Sequence, residues 1–304
     1  MTAAPVRIGW IGTGVMGAAM CGHLIDAGHP AVVFNRTRDR ATGLVEKGAG
    51  WRDSPAQVTA ESDVVFTMVG TPADVREVVL GESGVLAGAA AGTLLVDMTT
   101  SEPKLAQELF TVGEASGVDV LDAPVSGGDV GAREARLVIM VGGRPEAFER
   151  ALPLFELLGR VVFHAGAPGS GQHTKMVNQI AIASGLVGVC EALLYASRAG
   201  LDVQGVIETI SGGAAGSWSL TNYAPRMLRG DFAPGFRVDH LVKDLGIALE
   251  EARQAKVSLP GLALAEQLYV ALQAEGRGQD GVQALILALA RLSSVEWPAE
   301  KDPS

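Results

Sequence analysis

Seven short apolar runs separated by helical segments fill the first half of the 304-residue chain. Val6–Ile11, Ala31–Asn35, Asp63–Val69, Thr93–Asp97, Asp119–Ala123, Leu137–Val141 and Val161–His164 read as strands. Several are uninterrupted apolar runs, the pattern of strands covered on both faces. The intervening helices mark their own starts: Ser54-Pro55 and Thr71-Pro72 place a capping hydroxyl before a first-turn proline. Asp74 adds an acid near the positive end of the second of these. Strand and helix in this alternation call for a doubly wound parallel sheet rather than a sandwich.

After His164 the pattern changes. Gly166 to Gly171 is a flexible glycine-rich stretch, and Gln172–Ala199 reads as one long helix of ~42 Å at 1.5 Å per residue. Further helical segments run to about residue 292, including Leu241, Leu245, Ala248 and Ala252 on one helical face. The expected class is therefore α/β, with an N-terminal doubly wound domain over 1–165 and an all-helical domain over 166–293. Residues 294–304, polar and with two prolines, read as a loose tail.

Composition narrows the partners. Hydrophobic residues make up 48% and aromatic residues 5%, so the core is built mostly of Ala, Val, Leu and Ile. A net charge of −10 argues against nucleic acid, whose phosphates need a basic surface. Cys21 and Cys190 lie far apart in helical segments and read as small buried hydrophobes, and the five histidines show no metal-ligand spacing. The N-terminus lacks a signal-peptide pattern. The apolar stretch Ile180 to Cys190 stops at Glu191, short of the ~20 residues a bilayer requires. The expectation is a cytoplasmic protein with no membrane partner.

The first strand runs into Gly12-Thr13-Gly14-Val15-Met16-Gly17, in the strand–turn–helix context that a dinucleotide-binding turn requires. Gly12 permits the tight turn, Gly14 lets backbone approach a pyrophosphate, and Gly17 lets the helix pack on the strand. The helix N-terminus offers its N–H groups to the phosphate. At the end of the second strand, where an NAD site usually carries a carboxylate, stands Asn35, followed by Arg36, Thr37 and Arg38. A guanidinium can grip a 2′-phosphate that a carboxylate would repel, so NADP is favoured over NAD. The alternative is that Arg36 and Arg38 are solvated surface charges.

Two further segments carry chemistry. Asp122 to Gly128 follows a strand, at the edge where such sheets bind ligands, and Ser126-Gly127-Gly128 can offer a hydroxyl and N–H groups to a carboxylate. Taken alone it also fits a structural turn. In Gly169-Ser170-Gly171-Gln172-His173-Thr174-Lys175, the lysine sits near the positive end of the long helix, a position that lowers an amine's pKa and asks for a functional reason. Asn178 projects from the same face three residues on.

These motifs, with Lys243-Asp244 further along, resemble the β-hydroxyacid dehydrogenases in type and order, over about residues 6 to 292. That family includes 3-hydroxyisobutyrate dehydrogenase, tartronate semialdehyde reductase and glyoxylate/succinic semialdehyde reductases. The resemblance implies a Rossmann-type domain, an all-helical domain, an interdomain active site and a homodimer or homotetramer. It makes Lys175 the acid/base, and Ser126, Gly127 and Gly128 the holders of a substrate carboxylate. It also gives Asn178 to substrate, Thr100 to the nicotinamide, and Lys243 to a position closing over the cofactor.

Some residues depart from the usual pattern. Asn178 stands three residues past the lysine and Gln179 four, where many members carry Asn at four. Ala135 and Arg136 replace a frequent glycine and small hydroxyl residue. Asp244 and Trp218 are candidates for the far wall of the site, with Trp218 equally readable as core. The rival readings are a decarboxylating sugar-acid dehydrogenase and a dinucleotide-binding regulatory protein without turnover. The length of the helical half and the presence of Lys175, Asn178 and Ser126 count against them.

Overall fold

The structure, a computed structural model, describes residues 5–297. Its strands are β1 (Ile8–Ile11), β2 (Ala31–Phe34), β3 (Gly50–Trp51), β4 (Val64–Thr67), β5 (Leu94–Asp97), β6 (Asp119–Asp122), β7 (Val125–Ser126), β8 (Leu137–Gly142) and β9 (Gly159–Gly166). They form one sheet in the order β3-β2-β1-β4-β5-β6-β8-β7, with β9 on β8. From β3 to β6 every pairing is parallel, the doubly wound order of a dinucleotide-binding sheet. The far side departs from the all-parallel expectation. β8 runs antiparallel to β6 and β7, which pair with it in one continuous register, because the chain reverses after β7, through the helix Gly128–Arg133. β3 and β7, two residues each, carry no periodicity from which a strand could be read.

β1, β4 and β5 are buried along their whole length, as the continuous apolar runs require. Side chains alternate between two cores: Trp10, Phe66 and Val96 on one face, Ile11, Val65 and Leu95 on the other. Trp10 and Phe66 stack with centroids 5.1 Å apart. The helix starts form as their residues dictate. Ser54 accepts the Gln57 N–H, and Thr71 and Asp74 make a reciprocal capping box.

The register aligns the carboxyl ends of the parallel strands. Ile11 sits opposite Phe34 and Thr67, Thr67 opposite Asp97, and Asp97 opposite Asp122. The loops beginning at residues 12, 35, 68, 98 and 123 therefore leave along one edge of the sheet.

The chain divides into two compact units, one ending at Lys175 and the other beginning at Met176. The dividing point lies within the long helix Ser170–Arg198. In the second unit no named strand occurs among the described residues, and helices at Val203–Ser211, Val238–Gln254, Pro260–Ala274 and Leu285–Leu292 supply the core. Ala183, Leu186, Cys190 and Leu193 recur at helical spacing and meet Leu241, Leu245, Leu262 and Tyr269 in one cluster. Each such Leu contributes about 1.5–3 kcal/mol through burial.

Three readings of the sequence are refined by the structure. The long helix is apolar and long enough to cross a bilayer by length and composition, although Ile180–Cys190 alone is not. Its buried positions belong to the helical core, which accounts for that composition. The tail expected from Ser294 is not loose at its start: Val295 and Trp297 pack on the helical core, and Trp297 Nε1 donates to the Met227 carbonyl at 3.1 Å. The rest of that tail, residues 298–304, lies outside the described residues, as do residues 1–4. Trp218 is not a core residue but 59% exposed, its ring edge-on to Tyr223.

Candidate functional site

At the carboxyl end of β1, Gly12 takes φ of 97°, and a Cβ there would collide with the Met68 carbonyl. A Cβ on Gly17 would collide with the Gly12 carbonyl and approach Trp10 Nε1. These two glycines are thus required by the turn and by helix packing. Gly14 differs: nothing lies within 4 Å of where its Cβ would be. It caps the helix Val15–Asp26, whose first turn has no side-chain cap and no acidic residue. The Thr13 hydroxyl is buried without a hydrogen-bond partner among the described residues. An uncapped positive helix end, open space over Gly14 and an orphaned buried hydroxyl together fit the phosphates of a dinucleotide.

Asn35 works in two directions. Its Oδ1 accepts the Thr13 N–H at 3.0 Å, and its Nδ2 donates to the Thr37 carbonyl at 2.8 Å. It ties the glycine-rich turn to the turn after β2, a task not visible from the residue type alone. Arg36 is 89% exposed and reaches Asp74 Oδ1 at 3.3 Å. Arg38 instead lies over the Trp51 ring at 5.3 Å. Val15 is exposed and Met16 half-buried at the start of the helix.

The middle of the edge is a buried polar cluster. Asp97 Oδ1 accepts from the Thr67 hydroxyl at 2.7 Å and from the Thr99 N–H at 3.1 Å. Half-buried Thr100 follows. Gln172, fully buried, donates to the Thr99 carbonyl at 2.7 Å and accepts the Ser101 N–H at 2.9 Å. This ties the loop after β5 to the first turn of the long helix.

Asp122, the last residue of β6, anchors that same turn. One carboxylate oxygen accepts the Gly169 N–H and the other the Gln172 N–H, both at 2.8 Å. Burial pushes its carboxyl up to about 6, against the pull of those two N–H groups, with the nearby Asp97 charge adding to the rise. Sequence reading placed Asp122 in the motif without giving it this work. The chain then passes through Val125 and half-buried Ser126 to Gly127, at φ of 134°, and Gly128, at φ of 63°. The two glycines supply the left-handed backbone that turns β7 into the helix Gly128–Arg133. Ala135 also takes a left-handed φ, 52°, which explains why glycine is frequent there. Arg136 is exposed and pairs with Glu134.

Lys175 is 6% exposed, and its Nζ donates to the Val125 carbonyl at 2.7 Å. The structure thus brings the lysine to the backbone of the segment that carries Ser126. The second unit holds a separate polar group. Asn178 Nδ2 donates to Gln179 Oε1 at 2.8 Å, and Gln179 Nε2 donates to Asp244 Oδ2 at 2.6 Å. Lys243 Nζ stands 3.1 Å from Asp244 Oδ1. Asn178, singled out from the sequence, is only half-buried. Gln179, four residues past Lys175, is 2% exposed. The i+4 register, which turns residue 179 only about 40° from residue 175, was the available signal for Gln179.

Residues 7–166 match the NAD-binding domain model of 6-phosphogluconate dehydrogenase, and residues 169–289 match the NAD-binding model of NADP-dependent 3-hydroxyisobutyrate dehydrogenase. A probable 3-hydroxyisobutyrate dehydrogenase-like protein of Arabidopsis thaliana is 53% identical over 97% of this chain and 88% of its own length. The chain belongs to the β-hydroxyacid dehydrogenase family. Within that family, 2-hydroxy-3-oxopropionate reductase of Escherichia coli is 39% identical over 95% of this chain and 99% of its own. The solved 3-hydroxyisobutyrate dehydrogenase of Mycobacterium tuberculosis, with L-serine, superposes with a TM-score of 0.86 at 32% identity, covering 94% of this chain and 99% of that one. Membership makes the protein an NAD(P)-dependent oxidoreductase acting on hydroxy acids.

Proposed function

We propose that the protein interconverts a small 3-hydroxy acid and its semialdehyde, with NADP(H) as coenzyme and Lys175 as the acid/base. The observation that carries this reading is the hydrogen bond from Lys175 to the Val125 carbonyl, which holds a buried amine one residue from Ser126. Ser126, Gly127 and Gly128 hold the substrate carboxylate. The glycine-rich turn from Gly12 to Gly17 would hold the pyrophosphate, Asn35, Arg36 and Thr37 the 2′-phosphoribose, and Thr100 and Lys243 the remainder of the coenzyme. The nicotinamide, when bound, supplies the hydride acceptor in one direction and the donor in the other. In oxidation, neutral Lys175 takes the proton of the substrate hydroxyl; in reduction, protonated Lys175 polarises the carbonyl and returns a proton to its oxygen. Asn178 holds the reacting oxygen or its neighbour. The enzyme works as a homodimer or homotetramer in the cytoplasm.

Lys175→Ala tests the core of this reading. Turnover in both directions should fall by roughly 10²–10⁴-fold, the usual worth of a positioned proton-transfer group. NADPH affinity, measured by fluorescence, should change little. A variant retaining more than about a tenth of wild-type turnover, where the expected loss is at least about 10²-fold, would overturn the role of Lys175.

A further inference from the structure

The helical unit contains a chain of hydrogen bonds whose direction is set at one end. Asp244 is 1% exposed on the helix Val238–Gln254 and is ion-paired with Lys243. A carboxylate so paired only accepts hydrogen bonds. Gln179 must therefore turn its amide nitrogen toward Asp244, as the 2.6 Å contact shows. That leaves Gln179 Oε1 facing Asn178, and an amide oxygen also only accepts, so Asn178 must turn its Nδ2 toward Gln179. The outcome is a fixed orientation for the half-buried Asn178 amide. Gln179 and Asp244 come from segments 65 residues apart, and both are almost fully buried. A buried, fully directed polar relay of this kind specifies one arrangement of its end group.

We propose that Gln179 and Asp244 are positioning residues that fix the orientation of the Asn178 amide, so that Asn178 meets the substrate with its oxygen and one N–H always in the same places. This rests on Asn178 contacting substrate, as read above. Asp244 acts two hydrogen bonds away, through Gln179.

The test is a set of variants assayed for kcat, KM and NADPH affinity with one semialdehyde acid, alone and combined with Asn178→Ala. Gln179→Met keeps the size of the side chain and removes the amide. It should lower kcat/KM about tenfold, the loss expected for one misdirected hydrogen bond, with NADPH affinity unchanged. In the Asn178→Ala background the same substitution should cost no further activity, because its effect passes through the missing amide. A purely structural role would instead multiply the two losses, and that result would overturn the proposal. Gln179→Glu alone sets two carboxylates against each other, and Asp244→Asn alone releases the direction, so each should be impaired. Combined, they restore it: the amide introduced at position 244 can donate to the carboxylate introduced at position 179, and that carboxylate can accept from Asn178. The double variant should recover to within about threefold of wild-type kcat/KM, a residual of under 1 kcal/mol. Failure of the double variant to exceed both single variants would refute the proposal even if Gln179→Met folds poorly. If Asn178→Ala itself is fully active, the reading of Asn178 as a substrate ligand falls, and this proposal falls with it.

Discussion

Asp122 allows a prediction in which stability and activity move apart. Its carboxylate is buried at the end of β6 and accepts two N–H groups from the start of the helix that carries Lys175. Burial nonetheless raises its carboxyl to about 6 from an ordinary 3.8. The folded state thus keeps a proton that the unfolded chain has released, so stability falls as pH rises through the window from about 4 to 6 and levels off above it. At about 1.4 kcal/mol per pH unit, a rise of about two units is worth about 3 kcal/mol, of which about 2 kcal/mol falls between pH 4.5 and 7.5. Asp122→Asn keeps the shape and cannot ionise. It turns an amide nitrogen toward one of the two N–H groups, a pH-independent cost of about 1–3 kcal/mol. The stability of the variant relative to the parent should therefore rise by about 2 kcal/mol from pH 4.5 to 7.5. Chemical unfolding in a Trp218→Phe, Trp297→Phe background, where only Trp10 and Trp51 report, measures this for the sheet unit. Turnover at pH 7.5 should fall, because the turn preceding Lys175 has lost one of its two ties to β6. A stability difference that stays flat across this range would refute the argument.

Arg36→Ala should raise KM for NADPH by the equivalent of about 1.5–3 kcal/mol, typical of a hydrogen bond to a charged group, and leave KM for NADH nearly unchanged. Equal effects on the two coenzymes, or a parent enzyme that prefers NADH, would refute the 2′-phosphate role. Trp297→Ala should destabilise the helical unit by about 1–3 kcal/mol, through lost packing and the lost bond to Met227, as read by unfolding in denaturant. An unchanged unfolding midpoint would show that the chain beyond Ser294 contributes nothing to that core.

How much of this was legible in the sequence depended on whether a feature repeats or is made once. β1, β4 and β5 are buried on both faces, so apart from Thr67 and Asp97 at their carboxyl ends they carry only apolar residues and glycine, and the runs stood out. β3 and β7 are held by two residue pairs each, too few to leave a pattern. The glycines were legible because backbone geometry leaves no substitute: Gly12 and Gly17 are enforced by carbonyl oxygens, and Gly127 and Gly128 by their φ values. Asn35 was read as the absence of a carboxylate, whereas its side chain also bonds Thr13 and Thr37. Removing it would thus disturb the glycine-rich turn as well as the coenzyme's ribose end, which makes Arg36 the cleaner probe of phosphate recognition. The same limit applies to Gln179 and Asp122. Gln179 works through one bond to a residue 65 positions away and Asp122 through two bonds to residues 47 and 50 positions away, and no periodicity records such pairings. What local spacing does supply is the helical register, and at position 179 it points back to the face of Lys175. Reading residue type and register together, rather than the nearest asparagine, would have placed Gln179 among the candidates from the start.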